Sequence, residues 1–253
     1  EVTAELLRLA RALAPDDPLV GAEVRALRRG SALDAGLPLR KVDGPHAVAA
    51  PAGAERPAAE LLKTLGLLSM RYERELRRGA APAPLRAVLL PPGASPSDVA
   101  AAWDADLGLL LVRDGATGLG WDLAHAVARA VVAQAYGAPP PWVEVGLATA
   151  LAAPASAEDP PGLKEVLAAA PSWDADAWRT LLAMGRGPLL GNTLARAKAW
   201  ALVAYAQRHP PAWQVVQRIL DRTAKGEAAT WPDDAPVDLG SLDAQIAAGG
   251  RRR

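Results

Sequence analysis

Cysteine and phenylalanine are absent from the 253 residues, and isoleucine occurs only at Ile219 and Ile246. Without thiols, disulfide scaffolds, thiolate zinc sites, iron–sulfur clusters and cysteine nucleophiles are excluded. Neither sign of charge dominates: 28 basic residues balance 28 acidic ones. That balance argues against the basic face a nucleic-acid binder needs. Long apolar runs are missing as well. None approaches the roughly 18 residues that span a bilayer, and the longest candidate, residues 107–112, is strand-sized. A G-x-S-x-G elbow is absent and serine is sparse, which weakens a serine hydrolase.

What is present is a 51% hydrophobic chain rich in alanine, arginine, glycine and proline. Disorder throughout such a chain is excluded. Alanine favours helix but buries little area, so the core must lean on Leu, Val and eight Trp. The chain begins at Glu1 and not at Met, which predicts a processed or excised form.

Apolar periodicity predicts helices over Thr3–Ala14 and Val20–Arg29, then a loop-rich connector over 31–45. A short strand follows at His46–Ala50, and a strong amphipathic helix at Pro57–Arg78 with an ion-paired outer face. Leu85–Leu90 reads as a strand between prolines, and Ser95-Pro96-Ser97-Asp98 as the start of a short helix through Trp103. A third strand is expected at Leu107–Val112. Gly115 to Gly120 then forms a turn whose glycine order, G-x-x-G-x-G, fits no phosphate-binding fingerprint.

Helices follow over Trp121–Tyr136, Pro141–Ala153, 162–170, 174–184, 193–208, 211–225 and 241–248, with a mobile tail from Gly249. The expected fold class is α+β: a small N-terminal mixed sheet packed on helices, followed by a mainly helical C-terminal half. The expected divisions are 1–45, 46–160, 161–230 and 231–253. His46 and His209 stand apart, without partners in sequence, and Trp121 and Trp142 read as core residues whose N–H groups meet carbonyls.

Three neighbouring features carry a family resemblance. They are the strand at 107–112, the helix opening Trp121-Asp122-Leu123-Ala124-His125, and the phrase Pro141-Trp142-Val143-Glu144-Val145-Gly146-Leu147-Ala148. In that order they resemble the gluzincin, or peptidase MA-like, metallopeptidases, in which an edge strand, an H-E-x-x-H helix and a P-x-W-L-x-E-G-L-A helix build a zinc site. The resemblance covers roughly residues 46–222 and implies a zincin-like fold, and, with it, export from the cytoplasm.

Spacing matters because two histidines four apart lie on one helix face and can grip one ion. A Glu beside the first histidine activates zinc-bound water, and a Glu on the next helix completes the ligands. Here Trp121 occupies the first ligand position, and an indole N–H cannot ligate a cation. Asp122 stands at the general-base position, and His125 is kept. Trp142 and Gly146 fix the third-ligand position on Val145, one residue from Glu144.

The resemblance therefore implies a pseudoenzyme that binds a protein or peptide partner, with no cofactor. The edge strand, with Leu109, Leu110, Leu111 and Val112, would take an extended segment by β-augmentation beside Trp142. The alternative is a zinc peptidase with the unusual ligand set Asp122, His125 and Glu144.

Overall fold

The computed structural model describes residues 39–42, 46–76, 84–90, 100–105, 108–113, 115–118, 120–156, 162–232 and 234–250. The helices expected over 3–14 and 20–29 and the tail 251–253 lie outside these. The chain groups into two compact units: the first runs to Val131 and includes Ala155–Ala157, and the second holds 132–154 and the residues from Glu158 onward. The division falls within a helix, where the sequence suggested 160.

Unit 1 is the α+β part. Its strands are β1 (Leu39–Val42), β2 (Ala47–Pro51), β3 (Arg86–Leu90), β4 (Ala101–Asp104) and β5 (Leu109–Arg113), in the order β1-β2-β3-β5-β4. β2, β3 and β5 run parallel, and β1 and β4 close the edges antiparallel. The inner strands are continuous apolar runs because sheet neighbours and covering elements leave no wet face.

Helix α1 (Glu55–Glu75) connects β2 to β3 and packs on β2. It buries Ala58, Leu61, Leu65, Leu68 and Tyr72 at helical spacing. Its outer face carries the Arg56–Glu60 and Arg71–Glu75 ion pairs, as its charge pattern predicts.

Three expectations are corrected here. Trp103 is not at the end of a helix; it lies in β4, where Trp103 pairs with Leu110. Alanine's helix preference is overridden by pairing with β5. The strand expected at 107–112 is β5, and it is not an edge: β3 lies on one side and β4 on the other. Its residues Leu109, Leu110 and Val112 are buried. Among the described residues, β4 is an edge strand, paired with β5 on one side only. β1 arises where a connector was expected, through pairing with β2.

Helix α2 (Trp121–Tyr136) begins in unit 1 and ends in unit 2. Unit 2 is otherwise helical: α3 (Pro141–Ala152), α4 (Leu163–Ala169), α5 (Ala175–Leu182), α6 (Arg186–Gly191), α7 (Thr193–Ala206), α8 (Pro210–Ala224) and α9 (Leu242–Gly250). Gly249 and Gly250, expected in a mobile tail, belong to α9. α7 is the hub, contacting α3, α4, α6, α8 and α9. α3 and α7 approach so closely that a Cβ on Gly146 would lie 2.5 Å from the Ala199 carbonyl oxygen. The glycine in the Gly146-Leu147-Ala148 phrase is thus required by helix packing. Gly137, at φ 70°, ends α2, and a side chain there would meet the Thr223 carbonyl at 2.9 Å.

Candidate functional site

At the start of α2, Trp121 is buried and stacks on His125, with ring centroids 5.4 Å apart and planes 16° apart. The i, i+4 spacing that would bring two imidazoles to one ion here brings an indole against an imidazole. Asp122 Oδ2 accepts the Ala100 N–H at 2.7 Å. That bond joins the first turn of α2 to the residue entering β4, so the Asp122 carboxylate is engaged in holding that strand. A charge-assisted bond of this kind is short and strong.

The ladder geometry shows what that edge offers. Arg113 N–H donates to the Ala100 carbonyl at 2.9 Å, so Ala100 and Arg113 are a bonded pair. Antiparallel alternation then turns Ala102 and Asp104 toward β5. The backbone N–H and C=O groups of Ala101 and Trp103 point to the opposite side, where no described strand pairs with β4.

On α3, Trp142, Glu144 and Val145 are all 0% exposed. Trp142 contacts Trp231 edge-on at 5.6 Å, and its burial withdraws it from the ligand-facing role expected of it. Glu144 Oε2 receives Arg186 Nε at 3.1 Å and Nη2 at 2.8 Å. Glu144 is a buried anion held by a guanidinium from α6, a partner that sequence spacing did not reveal. The Nε1 groups of Trp103, Trp142 and Trp178 have no hydrogen-bond partner among the described residues, contrary to the carbonyl partner expected for Trp142. Among the described residues, no three His, Asp or Glu side chains converge as a metal site.

Two buried clusters escaped the sequence reading. In unit 1, His46 is 3% exposed. Its Nδ1 accepts the Leu85 N–H at 2.9 Å, and its Nε2 lies 3.1 Å from Ser69 Oγ. A backbone amide can only donate, so the ring proton sits on Nε2. This rules out His46 as a base for Ser69, whose side is also fully buried. Burial lowers the His46 pKa from its ordinary value.

In unit 2, Lys198 Nζ bonds both Asp243 oxygens at 2.7 Å. It also lies 5.1 Å from the Trp173 ring and 5.6 Å from the Trp178 ring. Asp243 further accepts the Trp173 N–H at 3.0 Å. This aromatic-walled ion pair fastens α9 to α7.

A cleft of about 700 Å3 lies between α5 and residues 230–240, walled by Arg179, Leu182, Trp231 and Val237. Its charged groups are satisfied locally: Arg179 pairs with Asp176 at 2.6 Å, and Asp238 accepts the Ser241 hydroxyl and the Gly240 N–H. Those two bonds, the Ser241 hydroxyl first, hold the Asp238 carboxyl below its ordinary pKa. Compared with known protein families and with curated proteins, the sequence matches none.

Proposed function

We propose that the chain is a catalytically silent, peptidase-like module that binds an extended peptide or protein segment along β4. One observation supports both halves of this reading: Asp122, at the position the gluzincin resemblance gives to the general base, bonds the amide that leads into the open strand edge. A carboxylate so held is a strand anchor. The edge it anchors presents the backbone groups of Ala101 and Trp103, which suit main-chain pairing with an added strand.

The neighbouring positions agree. Trp121 offers no lone pair to a metal, Val145 is apolar, and Glu144 is committed to Arg186. Affinity in this mode comes from backbone bonds, so sequence preference in the partner would be modest and set by alternate side chains.

The test is hydrogen exchange of the whole chain with and without a library of extended decapeptides. Binding through β4 slows exchange at the Ala101 and Trp103 amides while leaving Ala102 unchanged. Peptide retention without protection at those two amides would overturn the docking edge. Chelator-sensitive cleavage of the library would overturn the silent reading in favour of a zinc peptidase.

A further inference from the structure

His46 joins three pieces of unit 1. It lies at the entrance to β2, its Nε2 meets Ser69 on α1, and its Nδ1 takes the N–H of Leu85, which leads into β3. The carbonyl of that same Leu85 accepts Ala47 N–H at 2.9 Å. Leu85 is thus held on both sides at the point where the parallel β2–β3 pairing begins. Ser69 in turn donates to the Gly66 carbonyl at 3.3 Å, leaving its oxygen free to accept from Nε2.

Every position in this chain of bonds is directional. A second proton on the imidazole would have to sit on Nδ1, facing the Leu85 N–H, donor against donor. The proton cannot be accommodated without parting His46 from Leu85, and a buried unpaired donor is costly.

We propose that His46 is a proton-operated latch: protonation releases Leu85 and loosens the start of the β2–β3 pairing, making unit 1 responsive to mild acid. This does not rest on the proposed peptide docking. The helix packed against it, α1, carries the acids Glu55, Glu60, Glu73 and Glu75, the cations Arg56, Lys63, Arg71 and Arg74, and Tyr72, and β3 opens with Arg86. Tyr72, pushed up by burial, stays neutral in this range.

The sign follows from the lowered folded-state value. The latch contributes its full stability above the unfolded-state value of about 6.5, and loses it as pH falls through the lower folded-state value. Between the two, one proton is taken up on opening, so the opening equilibrium rises about tenfold per pH unit.

The experiment combines imidazole nitrogen NMR with amide exchange on the intact chain from pH 7.5 to 4.5. Expected results are an Nε2–H tautomer for His46, titration below 6.5, and Leu85 exchange, corrected for intrinsic chemistry, that rises about tenfold per pH unit in the window. The variant His46→Asn places an amide oxygen where Nδ1 sits and should give a pH-independent Leu85 amide, whereas Glu73→Gln should keep the wild-type slope. An Nδ1–H tautomer, titration at or above 6.5, or a flat wild-type Leu85 profile would overturn the latch. The nitrogen spectrum needs no variant, so a misfolded His46→Asn would not spare it.

Discussion

The two units tie their elements together with different chemistry. In unit 1, Thr64 donates to the Thr117 carbonyl at 2.9 Å, Tyr72 to the Ala124 carbonyl at 3.1 Å, and His46 accepts from Leu85. These are neutral side chains on main-chain groups, and the Asp122 carboxylate likewise bonds a main-chain group, the Ala100 N–H. In unit 2, beside the neutral Tyr205–Gln245 bond, helices are tied by two ion pairs, Glu144–Arg186 and Lys198–Asp243, the latter with both partners nearly sealed from water. A neutral bond contributes about 1 kcal/mol net, whereas a buried ion left alone costs several. Unit 2 should therefore be the more fragile to single substitutions, and unit 1 the more responsive to pH.

The largest expected effect is on the Lys198 cluster. Lys198→Met strands Asp243 in a nearly closed site and should cost about 3–5 kcal/mol, read by chemical denaturation with tryptophan fluorescence. Adding Asp243→Leu removes the orphaned charge and should restore most of that loss. Little recovery would mean that the ring contacts, not the uncompensated charge, dominate the site.

Next comes the α3–α7 contact that lies among those ion pairs. Gly146→Ala forces a methyl to within 2.5 Å of the Ala199 carbonyl and 2.7 Å of Val203 Cγ2. Backbone on one side leaves it no room, so a loss of about 3 kcal/mol is expected from thermal unfolding. A neutral result would show that these helices separate easily.

The smallest effect belongs to unit 1. Tyr72→Phe removes one buried hydroxyl bond to a helix carbonyl and should cost about 1 kcal/mol by the same denaturation measurement. A cost matching that of Lys198→Met would erase the proposed difference between the units.

Much of the fold was legible because it is local. The helix α2 was read with its true ends, since Gly120 and Gly137 bracket an uninterrupted helix-forming run. α3 was read to within one residue because Pro141 fits the first helical turn. The mixed sheet followed by helices was legible from element order. Strands β1 and β4 were not, because Leu39-Arg40-Lys41-Val42 and Ala101-Ala102-Trp103-Asp104 have weak strand character and gain it by pairing. α6 was hidden by two glycines and a proline within six residues.

The site was legible as positions but not as bonds. Asp122 is 22 residues from Ala100, Glu144 is 42 from Arg186, and His46 is 39 from Leu85. Such pairings are set by tertiary packing, and a single sequence carries no periodic signal for them. One signal was available for β4: a tryptophan alternating with small residues, buried at Ala101 and Trp103 and half-buried between.

Zinc retention tests the central claim most directly. The intact chain, equilibrated with buffered zinc and then freed of unbound ion, should hold no stoichiometric zinc, and its Ala100 amide resonance should stay where it was, still bonded to Asp122. One zinc per chain, with that resonance displaced and the His125 ring shifted, would show the α2 residues acting as ligands and would contradict the account.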